Sequence, residues 1–179
     1  MKPYTYFLPT LLAFSMMCMA QEKQAGPILE EYGEVWKIKN PDFATDANME
    51  YKVVFDIMQS PESHTEINRS IETAARFLNM HAQSGIPKSQ LKVALVVHSK
   101  ASKDIINDEA YKARFGVSNP NHHMVNQLMD AGVEVILCGQ SSKSRDYPKE
   151  DLIPGVQISL SAMTALIQLQ NNGYQLIKF

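Results

Sequence analysis

The chain alternates apolar stretches that are typical of strands with amphipathic stretches that are typical of helices. Residues 51–58 (YKVVFDIM), 91–99 (LKVALVVHS) and 133–138 (VEVILC) are rich in β-branched and aliphatic side chains, and they predict three strands. Their apolar positions are nearly continuous, as in strands that are buried on both faces. Two shorter stretches, 155–159 (GVQIS) and 174–179 (YQLIKF), predict a fourth and a closing strand.

Helices are predicted between these strands from apolar spacing and from capping residues. Ser60 and Pro61 have the chemistry of a helix start, and the residues after them carry apolar side chains at three-and-four spacing. A short helix is predicted over residues 104–114, another after Asn119, and a last one over residues 162–170. The stretch between the third and fourth strands is predicted to be a loop. Because strands and helices alternate, we expect an α/β fold with a mostly parallel five-stranded sheet and helices on both faces.

The first part of the chain, residues 1–20, has the pattern of a secretory signal peptide. Lys2 precedes an apolar stretch, and small residues end it before a polar break, so we expect cleavage after Ala20 and an exported protein, periplasmic or secreted. A membrane anchor is the alternative, but the apolar stretch is short and contains Pro9, so no membrane span is expected after processing. A lipoprotein would be modified at Cys18, and Met17 before it fits that pattern poorly.

Residues 21–49 have weak periodicity and predict an extension or strap in front of one domain over residues 50–179. Trp36, the only tryptophan, is expected to fasten this strap by burying its large apolar face. A content of 45% hydrophobic and 20% charged residues is typical of a globular domain. The formal net charge of −2 gives no electrostatic reason to expect a nucleic acid as partner.

Side chains that could react or bind a ligand lie where the predicted strands end. Asp56, His98 and Cys138 end the first three strands, and Ser159 ends the fourth. In open α/β sheets, ligands bind outside the carboxyl ends of the strands, so we expect these groups to share one edge. Removal of the signal peptide would leave Cys138 as the only thiol of the mature chain.

The residues after Cys138 are suited to binding an anion. Gly139 permits a tight turn, and the backbone amides of Gln140 and Ser141 follow it. Nearby positive charge lowers the pKa of a thiol, and Lys143 supplies such a charge, as Arg145 and His98 do. We therefore predict a reactive Cys138, with Asp56, His98, Gly139, Gln140, Ser141 and Lys143 as binding residues.

The alternative interpretation of Cys138 is simple packing. Free cysteine is among the most buried residue types. In that case the protein is a non-catalytic module that binds a small ligand or a protein, or a purely structural subunit of an oligomer.

Other chemical motifs are absent from the sequence. It has no GxGxxG, P-loop or GxSxG pattern. His122 and His123 are neighbours, so on a helix their side chains diverge and do not form a metal pair. We expect neither a cofactor nor a metal ion.

Residues 132–179 (GVEVILCGQSSKSRDYPKEDLIPGVQISLSAMTALIQLQNNGYQLIKF) combine a strand ending in cysteine, a polar loop with a basic residue and a Pro-Gly break. A short strand, a helix of small residues and leucines, and a closing strand follow. This pattern resembles the C-terminal half of the DsrE/DsrF-like (YchN-like) proteins. YKVVFDI, AARFLNMHAQSGIP and LKVALVVHSKAS resemble the N-terminal half, so the similarity covers residues 50–179.

The resemblance implies a three-layer α/β sandwich that assembles into trimers or hexamers. It also implies a sulfur carrier, similar to a sulfurtransferase, that holds sulfur as a persulfide on Cys138 and exchanges it with a donor or acceptor protein. Only Cys138 matches a family position with a defined role. The characterised sulfur relays of the family are cytosolic, whereas this chain is expected to be exported, and its mature form would have no second cysteine.

Overall fold

Five parallel strands form the sheet in the computed structural model, which describes residues 22–178. Their spatial order is β4-β3-β2-β1-β5. The strands are β1 (Tyr51–Ile57), β2 (Leu91–Val97), β3 (Glu134–Cys138), β4 (Gln157–Ser159) and β5 (Gln175–Ile177). Every pair of neighbours is parallel, which confirms the predicted α/β class and the five-stranded sheet.

Helices cover both faces of the sheet, as predicted. Helices α1 to α3 join the larger apolar core on one face, and α5 packs on a smaller cluster around Val54, Ala94 and Val96 on the other. The α-helices are α1 (Arg69–Gln83), α2 (Asp108–Phe115), α3 (His122–Asp130), α4 (Gly139–Arg145) and α5 (Ala162–Asn171). Short 3₁₀ helices span Lys88–Gln90, Ser99–Ile105 and Lys149–Asp151.

Two of the predicted helix starts were wrong. Helix α1 begins at Arg69 and not near Pro61, because the side chain of Asn68 caps it by accepting from the amides of Ser70 and Ile71. The helix predicted from residue 104 begins instead at Asp108, where Asn107 is the cap.

The predicted loop after the third strand was also wrong in part, because helix α4 follows β3 directly. Ser142 is the only buried residue of α4, so this helix has no apolar periodicity by which the sequence could predict it.

The backbone of the strap is held to α1 by hydrogen bonds to the side chain of Asn79, and Trp36 does not contribute a buried ring. Trp36 is 49% exposed, so the prediction that it buries its ring was wrong. The side chain of Asn79 instead binds the strap backbone, accepting from the amide of Leu29 and donating to the carbonyl of Tyr32. Gly33 lies so close to α1 that a Cβ there would be 2.4 Å from the backbone of Ala75.

A buried polar cluster around Asp104 joins three segments of the chain: the one that precedes α1, the 3₁₀ helix that follows β2, and the one that precedes α3. The Asp104 carboxylate is fully buried and accepts from Asn68 Nδ2 at 2.7 Å and from Ser60 Oγ at 2.9 Å. Lys103 Nζ and Asn121 Nδ2 donate to it at 3.3 Å and 3.5 Å. Burial raises the pKa of Asp104, and these hydrogen bonds act against that rise.

Among residues 22–178, no helix is both long and apolar enough to cross a membrane. The predicted signal peptide, including Cys18 and the cleavage position, lies outside the described residues.

Candidate functional site

Cys138 ends β3 and immediately precedes α4, so its sulfur lies at a junction of strand and helix. Four nearby hydrogen-bond donors lower the pKa of its thiol: the backbone amides of Ser141, Ala162 and Gln140, and the hydroxyl of Ser141. The amides belong to the first turns of α4 and α5, where backbone N–H groups have no partner within the helix. Two helix starts therefore converge on one thiol.

This environment favours the thiolate form of Cys138. Burial alone would raise the pKa of the thiol, because a charged sulfur loses its hydration. The amides and the Ser141 hydroxyl bind the charged form and outweigh burial, so the pKa of Cys138 lies below its ordinary value. Amides and a hydroxyl thus supply the effect that we predicted from His98, Lys143 and Arg145.

Gly139 permits the close approach that this arrangement needs. A Cβ at this position would lie 2.4 Å from the carbonyl oxygen of Ser159 and 3.2 Å from that of Leu160. The start of α4 and the segment between β4 and α5 could not be so close with any larger residue. Gly139 therefore brings the amide of Ala162 within reach of Cys138.

Ser141 joins the thiol to the end of β2. Its hydroxyl lowers the pKa of Cys138 and accepts from the backbone amide of Ser99 at 3.0 Å. Ser99 has a φ of 54°, a conformation that non-glycine residues seldom adopt. This bond holds the β2 end against α4.

Ser141→Ala should raise the pKa of Cys138 by roughly half to one pH unit, because a net hydrogen bond is worth about 1 kcal/mol and one pKa unit is about 1.4 kcal/mol. The measurement is the ultraviolet absorbance of the thiolate against pH, with a Cys138→Ser variant as blank. Ser144→Ala, an exposed change on the same helix, should leave the titration unchanged. Identical midpoints for the parent and Ser141→Ala would contradict the assigned donor.

Asp56 and His98 form a second polar group on the same edge of the sheet. His98 Nε2 donates to Asp56 Oδ1 at 2.8 Å, and its Nδ1 lies 2.9 Å from Ser99 Oγ. Lys178 Nζ donates to Asp56 Oδ2 at 2.8 Å. Burial would raise the pKa of Asp56, but Lys178 and His98 hold it below its ordinary value. The imidazole is thus bound to Asp56 and Ser99.

The side chains of the two remaining predicted residues, Gln140 and Lys143, are exposed to solvent. Gln140 is exposed, and its Nε2 donates to the carbonyl of Leu160 at 3.2 Å. Lys143 is exposed on α4. The amide of Ala162 and the side chain of Lys178 were not predicted, and the only sequence signal near either was Ser161, a residue type that caps helices.

The sulfur is largely shielded from solvent. Cys138 is 5% exposed, and a cavity of about 930 Å³ beside α1 is lined by other residues. Residues 22–178 contain no cluster of three or more histidine, cysteine, aspartate or glutamate side chains that could hold a metal ion.

Comparison with known proteins identifies a family and two structures of similar fold. The model of the DsrE/DsrF-like family matches residues 52–179. The protein of unknown function MTH1491 from Methanobacterium thermoautotrophicum has a TM-score of 0.55 at 18% identity, covering 73% of this chain and all of its own. The ychN protein from E. coli has a TM-score of 0.53 at 20% identity, covering 72% of this chain and 99% of its own. A comparison with curated proteins found no match.

Proposed function

Since the chain belongs to the DsrE/DsrF-like family, as its sequence resemblance indicated, we propose that it carries sulfur as a persulfide on Cys138. The observation that carries this proposal is the position of Cys138 at the end of β3 and the start of α4, where amides from two helix starts lower the pKa of its thiol. A thiolate is the nucleophilic form of cysteine, and in a persulfide the charge lies on an outer sulfur one S–S bond, about 2 Å, beyond the Cys138 sulfur. The protein is then a carrier, similar to a sulfurtransferase, that needs no cofactor.

The proposed transfer is an exchange between sulfur atoms. The Cys138 thiolate attacks the terminal sulfur of a donor persulfide or polysulfide, an S–S bond of the donor breaks, and the donor leaves as a thiolate or as a shorter polysulfide anion. Cys138 then carries one additional sulfur. An acceptor thiolate attacks that outer sulfur, and Cys138 returns as a thiolate. No external oxidant is required, because one S–S bond forms for each that breaks.

We propose that copies of the chain associate through the face that α5 presents. Leu160 and Met163 are each 72% exposed, Ile167 is 58% exposed and Ile158 is 41% exposed, an unusual density of apolar side chains on a free surface. Leu160 and Met163 lie within two residues of Ala162, whose amide lowers the pKa of Cys138. A trimer or hexamer built on this face would bring a second subunit beside the thiol.

The proposed compartment follows from residues 1–20, whose pattern favours export to the periplasm or medium. The sulfur donor and acceptor would then be proteins or small polysulfides of that compartment.

The rival function is that of a binding module in which Cys138 is a packing residue. Its exposure of 5% favours this alternative, because a donor must reach the sulfur. The two functions differ in one measurable property, the capacity of the thiol to gain sulfur.

Exposure of the purified protein to polysulfide should add about 32 Da per bound sulfur atom, and reduction should remove the added mass. Intact-mass analysis of the parent, of Cys138→Ser and of Ser144→Ala measures this directly. The parent and Ser144→Ala should gain the mass, whereas Cys138→Ser should not. A parent that remains unmodified, or a Cys138→Ser variant that gains the same mass, would favour the binding module.

A further inference from the structure

An apolar groove lies at the opposite side of the sheet from β4, between α1, the edge strand β5 and the strap. Its volume is about 930 Å³, within the range of small-molecule sites. Helix α1 packs over β1 and β2, which leaves the neighbouring face of β5 open. The apolar lining is formed by Val35, Val53, Phe55, Phe77, Met80 and Ile177. No residue of the Cys138 site lines it, so the groove requires an explanation of its own.

The charged residues of the groove are two cations and one carboxylate. Arg76 and Lys52 both line it, whereas Glu50 is its one carboxylate and pairs with Lys52 at 3.0 Å. The guanidinium of Arg76 donates to Thr73 Oγ1 and to the carbonyl of Arg69, both on its own helix. Among residues 22–178, the contacts of Arg76 include no carboxylate. Arg76 is exposed, so the groove has at its edge a solvated guanidinium with no carboxylate partner in the described part of the chain.

We propose that this groove binds a long-chain carboxylate, with the acyl chain against the sheet and the carboxylate on Arg76. The apolar lining matches the chain, since burial of methylene groups is favourable in proportion to their area. The planar guanidinium matches the head group, because it binds a carboxylate through two parallel hydrogen bonds. The half-exposed Met80 and Ile177, at 43% and 38%, lie where a ligand would cover them.

Calorimetric titration of the full chain with oleate tests this proposal, with oleyl alcohol as the uncharged ligand of equal chain length. We expect saturable binding of one oleate per chain. Arg76→Gln should weaken oleate binding by about tenfold or more and leave oleyl alcohol binding unchanged. Lys88→Gln, which removes an exposed lysine outside the groove, should bind oleate as the parent does.

A second variant, Met80→Glu, places a carboxylate at the groove and should also weaken oleate binding, by charge repulsion. Since Met80 is 43% exposed, the change should not unfold the protein. Absence of saturable binding in the parent, or equal oleate affinity in Arg76→Gln and Lys88→Gln, would overturn the proposal. A third result would also overturn it. In sedimentation the parent would be an oligomer that Met80→Glu separates into single copies, and the parent would bind no oleate, so the groove would be covered by a second copy of the chain.

Discussion

Replacing Asp104 with alanine should lower the free energy of unfolding by about 3–5 kcal/mol, the usual cost of removing one partner from a buried ionic pair. The carboxylate is fully buried, and it is the acceptor for Lys103 at 3.3 Å, for Asn68 at 2.7 Å and for Ser60 at 2.9 Å. Alanine would leave one N–H of the buried Asn68 amide without an acceptor, while its other N–H keeps the carbonyl of Gln59, and it would remove the carboxylate that faces Lys103. Since Asn68 also caps α1, the start of that helix should loosen as well.

Urea unfolding followed by circular dichroism measures the loss. Asp130→Ala is a suitable control, because Asp130 is an exposed aspartate at the end of α3. It should change the free energy of unfolding by less than about 0.5 kcal/mol. A loss below about 1 kcal/mol for Asp104→Ala would show that the buried cluster does not hold α1 in place.

Gly139→Ala should damage the site and the fold together. The new methyl group would lie 2.4 Å from the carbonyl oxygen of Ser159, and both atoms are fixed to backbone, so no side chain can turn aside. Relief requires the junction of β4 and α5 to move, at a cost of about 1–3 kcal/mol in the free energy of unfolding. The movement withdraws the amide of Ala162 from Cys138, and the pKa of the thiol should rise.

Gly85→Ala is the control that separates the loss of stability from the rise in the thiol pKa. Gly85 has a φ of 89° and no atom within 4 Å of the added methyl group, so the change introduces backbone strain but no clash. It should cost about 1–2 kcal/mol and leave the thiol titration unchanged. A Gly139→Ala protein with the stability and thiol pKa of the parent would contradict the close approach.

The fold was predictable because it depends on local patterns. Continuous apolar residues in β1, β2 and β3 indicated a buried parallel sheet, and the three-and-four spacing in α1 matched side chains that are now buried, such as Ile71 and Leu78. The start of α1 was not predictable from local chemistry alone. Ser60 and Asn68 are both suitable caps, and Asp104, distant in sequence, binds both of them.

The sequence predicted where the residues of the candidate site lie, but not which groups lower the pKa of the thiol. Parallel strand ends placed Asp56, His98 and Cys138 on one edge, as the strand register of the sheet requires. Three of the four groups that lower the thiol pKa are backbone amides, which every residue except proline has, so no residue type could reveal them. The prediction for Trp36 was wrong because it relied on residue type. Its large apolar ring suggested burial, but the ring is exposed, and the strap is held to α1 at Gly33 by Asn79.

The rate of sulfur loading as a function of pH tests the central claim most directly, because it joins the thiolate to the persulfide in one measurement. The parent protein is mixed with polysulfide across a range of pH, and the mass gain of about 32 Da is followed in time. We predict that loading rises with pH to a midpoint that coincides with the absorbance titration of Cys138 and lies below that of a cysteine peptide in the same buffers. A parent that gains no sulfur at any pH, or a midpoint equal to that of the peptide, would contradict the claim that these amides hold Cys138 ready to carry sulfur.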